Sequence, residues 1–244
     1  MAEAPPKRER PVHTRLHTEE HRHEGVSIRD VILGVSDGLT VPFALAAGLS
    51  GAEVAKFTVF LAGVAEMLAG GIAIGLGGYL SEKSHAEMYR KELERERWEV
   101  EQLPEVEKHE VREIWKARGY VGQELDQLVE AITRDHDRWV DFMMRDELGL
   151  VEPAAGAALQ SSLTIGLSYV IGAFVPLFPF LLPVSVHEAL LIPSVTTLTA
   201  LCLVGVLKSR YTGGRWWRSG VETMLIGAAA AGAAYLLVRA LARG

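Results

Sequence analysis

The sequence predicts an all-α integral membrane protein: five transmembrane helices, with a charged helical domain inserted between the second and third. Three observations predict it. Apolar blocks long enough to cross a bilayer as helix recur five times along the 244 residues. Hydrophobic residues make up 49% of the chain, which a soluble protein could share, so their concentration into blocks is what decides. Residues 82–152 hold 20 of the 31 acidic residues and 12 of the 25 basic ones, a net charge of −8, while the rest of the chain carries +2. The expected boundaries are a polar His-containing tail at 1–26, spans one and two within 27–81, the acidic domain at 82–152, and spans three to five within 153–244.

The tail carries His13, His17, His21 and His23. His17 and His21 are four apart and would ligate one metal if the tail were helical; such tails also commonly stay unstructured. No cleavable signal peptide is visible, so the first span is expected to serve as the targeting signal.

Span one, VILGVSDGLTVPFALAAGLSG at 31–51, contains Asp37. Span two, FTVFLAGVAEMLAGGIAIGLGGYL at 57–80, contains Glu66. A carboxylate at bilayer depth costs roughly 2.5–3.5 kcal/mol on insertion scales and is seldom kept without a use. Two in successive spans suggest a path for cations or protons. The alternative is that each is neutral and hydrogen-bonded in a helix interface. Gly34 and Gly38 flank Asp37, and Gly63, Met67, Gly71 and Gly75 fall four apart around Glu66. Such ridges let helices approach closely, which places both acids near tight contacts.

The third block, 155–182, is interrupted by Pro176 and Pro179 and followed by Pro183. Its Gln160, Ser161 and Ser162 fit a helix packed on other helices. The fourth block, 189–207, holds Cys202, the chain's one cysteine, so an intrachain disulfide is impossible. The fifth block is 220–242. The link before it, KSRYTGGRWWRSG, carries Lys208, Arg210, Arg215 and Arg218 and no acid. The tail is also basic, with Lys7, Arg8, Arg10, Arg15, Arg22 and Arg29. The positive-inside rule places tail, link and 82–152 in the cytoplasm, with the C-terminus on the far side. Trp216 and Trp217 read as interfacial anchors. His187, Glu188 and Glu222 read as interfacial too.

Residues 82–152 read as three helices. The first, 82–101, continues span two outward until Pro104; the second, 105–118, stops at Gly119; the third, 123–148, breaks near Thr133 and stops at Gly149. Apolar residues look sparse, so order here is expected to need a partner, a metal or a second copy. Glu96 and Glu99 are three apart, as are Glu107 and Glu110, and each pair shares a helix face. Glu147 follows Met143 and Met144 by four and three residues. Carboxylates with thioethers beside them suit ferrous iron better than calcium or magnesium. Brought together without a cation, they would repel or hold protons. Against this stands a solvated helix face, which alternating signs such as Glu94, Arg95, Glu96, Arg97 usually mark.

Four stretches carry a resemblance. RDVILGVSDGLTVPFALAAGLSGA (29–52), AEMLAGGIAIGLGGYLSEKS (65–84), DFMMRDELGL (141–150) and ALQSSLTIGLSYVIGAFVPLFPF (158–180) closely resemble segments of the vacuolar iron transporter family. The resemblance covers nearly the whole chain from about residue 25. It implies a homodimer of five-span protomers that moves Fe²⁺, and often Mn²⁺, out of the cytosol in exchange for protons. The ion path would lie near the dimer interface, between first and second spans. The family's intramembrane acids match Asp37 and Glu66. Its cytoplasmic metal-binding residues match Glu96, Glu99, Glu107, Glu110 and Glu147, with paired methionines at Met143 and Met144. One departure stands out: where the family commonly has a pore methionine two turns beyond the second-span glutamate, this chain has Ile74. Met67, on roughly the same helix face, is the available substitute.

The expectation is thus a secondary metal-ion transporter, not an enzyme. Fe²⁺ is its substrate, and Mn²⁺, Co²⁺ or Zn²⁺ are further candidates at the cytoplasmic metal-binding domain. The partners are metal ions, protons, membrane lipid and a second copy, with no nucleic acid. The host is a prokaryotic plasma membrane or a vacuolar membrane. The competing readings are a membrane-anchored ferroxidase and a metal sensor without flux. Ferritin-like di-iron sites need Glu-x-x-His motifs on two helices of a four-helix bundle, and 82–152 offers no such pair.

Overall fold

The structure, a computed structural model, describes residues 28–183 and 186–243. The tail histidines, His13 to His23, lie outside the described residues, as does the side chain of His187. Among the described residues all regular structure is helical, and five helices are long and apolar enough to cross a membrane. These are α1 (Ile28–Gly51), α2 (Lys56–Gln102), α6 (Ala157–Leu177), α7 (Val186–Thr212) and α8 (Trp216–Arg243). Between α2 and α6 come α3 (Pro104–Ala117), α4 (Gly122–Thr133), α5 (His136–Phe142) and a π-helical turn (Met143–Glu147). A 3₁₀ turn (Phe178–Leu181), with Pro179 inside it, ends the third span.

Helix α6 is the centre of the bundle, with α1 and α2 packed against it. Small residues make this possible. Lipid gives apolar helices no hydrophobic reason to associate, so close backbone approach must supply the contact. A Cβ on Gly172 of α6 would lie 2.6 Å from the Val35 carbonyl oxygen. A Cβ on Gly38 would fall inside the carbonyl of Tyr169, and one on Gly34 inside that of Ile165. On the other side, a Cβ on Gly75 would lie 2.9 Å from the Ser162 carbonyl oxygen, and one on Gly166 the same distance from that of Gly71. Ser161 is buried here and Gln160 exposed, so only part of the polar stretch serves packing. Helix α8 packs on α1 and α7, again through glycines: Gly205 meets the Ser219 carbonyl and Gly227 the Leu201 side chain.

Helix α2 is continuous for 47 residues. At 1.5 Å per residue it is about 70 Å long, more than twice the hydrocarbon thickness. Leu103 closes it, donating to the Glu99 carbonyl at 2.7 Å, and Pro104 opens α3 at a position where its missing N–H is harmless. The expected third helix divides into α4, α5 and the π turn. The break falls at Thr133, and Asp135 caps α5 by accepting the Arg138 N–H at 2.9 Å.

The domain between the spans has its own apolar core, contrary to the sparse core expected of it. Val100, Val111, Leu125, Val129, Trp139, Val140, Phe142, Met143 and Met144 are buried together, and Trp115 stacks on Phe142 at 5.9 Å. Two tryptophans and two methionines supply large areas per residue, which counting apolar positions understates.

Gly38→Val should separate α1 from α6 and abolish a monodisperse, thermally cooperative species in detergent. Gly77→Ala, where an added Cβ meets nothing within 4 Å, should keep or slightly raise the unfolding temperature. Size-exclusion profiles and thermal unfolding of both variants check the pair.

Candidate metal centre and intramembrane carboxylates

The helical periodicity that builds the small domain's core also aims its glutamates inward. Glu96 lies four before Val100 on α2, and Glu107 four before Val111 on α3; both valines are core residues. Glu96 is 1% exposed and Glu107 3%. The run Glu94 to Arg97 is therefore not a uniformly solvated face: its neighbours point out and Glu96 points in. Glu147 arrives from the π turn, whose Leu148 N–H reaches back to the Met143 carbonyl at 3.1 Å. Single π turns recur at functional sites because they re-aim side chains.

Carboxylate oxygens of Glu96, Glu107 and Glu147 all lie within 4.8 Å of one another, with Glu147 at the open edge. Among the described residues, one oxygen each of Glu96 and Glu107 is buried without a hydrogen-bond partner. Arg95 offsets part of the charge, meeting Glu96 Oε1 at 3.1 Å, Glu99 Oε2 at 3.4 Å and Glu92 Oε2 at 2.7 Å. One guanidinium among so many acids leaves the cluster net negative. Burial, then the charges of Glu110, Glu96, Glu99 and Glu147, push the Glu107 carboxyl up to about 7. Glu147 is pushed up to about 7 by burial, Glu110 and Glu96, with Arg95 pulling the other way. Glu99 and Glu110 thus act on the cluster through their fields.

Met143 and Met144 occupy the apolar core on the same turn as Glu147. Arg118, the residue that closes α3, fixes that turn, paired with Asp146 and lying 4.9 Å over the Trp115 ring. The residues that orient the turn, Arg118 and Asp146, gave no sequence signal, since they are 28 apart and unremarkable in composition.

Glu66 lies 30 residues before Glu96 on the same helix, about 45 Å along its axis. Gly63, Met67, Gly71 and Gly75 form the buried row against α6, and Val59 continues it against Ala46 and Phe180. Beside it runs a half-buried row of Ala62, Glu66, Gly70, Ile74 and Gly78. The Tyr169 hydroxyl of α6 donates to Glu66 Oε1, while Oε2 is buried with no partner among the described residues. Gly70 leaves room for this contact: a Cβ there would crowd both the Tyr169 hydroxyl and Glu66 Oε1. Ile74 shares the Glu66 row. Met67 lies beside that row, buried with Tyr169, Ala173 and Leu177, and Ile74 packs against the same cluster.

Asp37 is half-buried on α1, between Leu33 and Val41, which are 42% and 45% exposed. It lines a pocket between α1, α7 and α8. Its neighbour Gly38 presses on the Tyr169 backbone. Pro42 lacks the N–H that would bond the Gly38 carbonyl, freeing a backbone oxygen beside Asp37. Tyr169 escaped the sequence reading. Its one signal was a hydroxyl-bearing aromatic within an apolar span.

Comparison with known proteins gives a consistent likeness over the described bundle. The sequence profile of the VIT family matches residues 28–239. Vacuolar iron transporter 1 of Oryza sativa subsp. japonica is 48% identical over 225 residues, covering 92% of this chain and 89% of that protein. Vacuolar iron transporter 1 of Arabidopsis thaliana is 47% identical over 223 residues, covering 91% and 89%. Protein CCC1 of Saccharomyces cerevisiae is 35% identical over 222 residues, covering 88% and 69%.

A pH dependence follows from the raised carboxyls. Their ordinary value is 4.5, and a carboxyl held near 7 in the folded state opposes folding once ionised. Stability is therefore greatest below the unfolded value, falls as pH rises from about 4.5 to about 7, and stays low above. In chelator, Glu107→Gln should gain thermal stability over wild type progressively across that window, followed by tryptophan fluorescence. A difference that does not vary with pH would contradict the desolvated-cluster account.

Proposed function

The chain belongs to the VIT family, and on that footing we propose that it carries Fe²⁺ out of the cytosol across a membrane in exchange for protons. The observation that carries this reading is Glu66: an intramembrane carboxylate with one oxygen held by Tyr169 and the other buried without a partner among the described residues, while α1, packed against α6 as α2 is, carries the half-buried Asp37. A carboxylate in such a place binds a proton or a divalent cation, and one occupant excludes the other. That exclusion is the elementary requirement of antiport. Mn²⁺ is a second cargo compatible with the same oxygen ligands.

The 82–152 domain is the proposed cytoplasmic collector. Glu96, Glu107 and Glu147 would take the ion directly; Glu99 and Glu110 would draw it electrostatically, with Met143 and Met144 as the nearby thioethers. Carboxylates near neutrality give up protons as metal arrives. The continuous α2 then fixes the collector's distance from Glu66, so delivery is a problem of diffusion along a rigid strut.

A homodimer supports the pathway. Asp37 sits between exposed Leu33 and Val41, and Glu66 near exposed Leu68 and Ile72. In a lone protomer these apolar faces, with the half-buried Asp37 at one of them, would lie against lipid. A second copy against α1 and α2 would close the path. The relatives named vacuolar iron transporters make a vacuolar membrane the favoured host.

Fe²⁺ flux into sealed proteoliposomes with an acidic interior tests the reading. Flux should depend on the gradient and fall to below about a tenth in Asp37→Asn and in Glu66→Gln, with assembly unchanged. Tyr169→Phe should keep transport but alter its dependence on pH. Glu107→Gln with Glu110→Gln should raise the Fe²⁺ concentration for half-maximal flux several-fold more than it lowers the maximum. Metal binding without flux under any gradient would instead favour a sensor, and oxygen uptake on adding Fe²⁺ a ferroxidase.

A further inference from the structure

The pocket that Asp37 lines is larger than a metal ion needs. It measures about 560 Å³, within the range of small-molecule and cofactor sites. Ile32 and Leu33 of α1, Val204 of α7 and Ile226 of α8 give it an apolar strip; Ser36, Asp37, Thr40 and Thr223 line it beside them, the Thr40 and Thr223 hydroxyls turned onto the Ser36 and Ser219 carbonyls of their own helices. At one end stand two cations, Arg29 at the start of α1 and Lys208 near the end of α7. Among the described residues neither forms an ion pair, and each is exposed. Tyr211 and Thr212 add hydroxyls at the same end. Arg29 also borders the cavity formed with Gly77 and Glu82 of α2, which places this rim at the end of the bundle from which the 82–152 domain emerges.

A slot between helices with an apolar strip along it, threonine hydroxyls turned onto their own helices and its two cations at the membrane-interface end suits a phospholipid. We propose that this pocket holds an anionic phospholipid of that leaflet, its phosphate on Arg29 and Lys208 and an acyl chain along Leu33, Val204 and Ile226. Basic pockets between transmembrane helices on the cytoplasmic side are suited to such headgroups. The chain would reach toward Asp37 and cover that carboxylate on the side of α7 and α8. The proposal stands apart from the transport reading, since its readout is lipid retention and not flux.

Native mass spectrometry of the full-length protein, purified in detergent and offered phosphatidylglycerol or phosphatidylcholine, tests it. Wild type should retain at least fivefold more phosphatidylglycerol. Arg29→Gln with Lys208→Gln should bring the two lipids to parity, and Ile226→Trp, which fills the slot without touching charge, should lower retention of both. Arg243→Gln, at the far end of α8, should leave the selectivity intact. Parity in wild type, or selectivity that survives both pocket variants, would overturn the proposal. Displacement of the lipid by millimolar glycerol 3-phosphate alone would reduce the site to a phosphate site and also overturn it. Loss of the dimer mass in Ile226→Trp without any lipid selectivity would assign the slot to a second copy instead.

Discussion

Everything in the membrane part depends on how closely α6 is approached from two sides. In water a helix bundle is driven together by burying apolar surface; in lipid that drive is absent, and backbone contact through glycine takes its place. Gly34 and Gly38 bring α1 onto α6, and Gly71 and Gly75 bring α2 onto it. Tyr169 is held between them. Its backbone bears on Gly38, next to Asp37, and its hydroxyl binds Glu66. The relative positions of two carboxylates on different helices are thus set by one residue of a third. Any change that widens either contact moves a charge in a medium where charges are poorly solvated.

The small domain obeys the opposite solvent logic. It is held by an ordinary apolar core, and that core forces like charges together. Glu96 and Glu107 cannot turn outward without withdrawing Val100 and Val111, which share their helix faces. Burying like-charged carboxylates is unfavourable, and Trp115, Trp139, Met143 and Met144 offset it through packing. The result is a core that holds like charges together, a repulsion that a bound cation would relieve. Arg95 supplies a partial substitute, and its half-exposed position leaves the open edge at Glu147 accessible. The two regions are joined by unbroken helix, so the spacing between Glu66 and Glu96 is fixed by helical rise and not by a flexible linker.

The sequence by itself determined the five spans, the acids within them and the helical character of 82–152, because run length, composition and breakers such as Pro104 and Gly119 are local properties. It also determined the family, whose segments are continuous strings. Tertiary structure decided which of the five glutamates named from the sequence meet: Glu96, Glu107 and Glu147 converge once α3 and the π turn supply a second and third wall, while Glu99 and Glu110 stand outside the group. It decided that Met67 is buried in the α6 interface while Ile74 lies half-buried at its edge. Tyr169 became visible only once residues 103 positions apart met. Burial, charge coupling and orphaned oxygens are properties of what surrounds a side chain. Surroundings contributed by other helices are not written at the position itself.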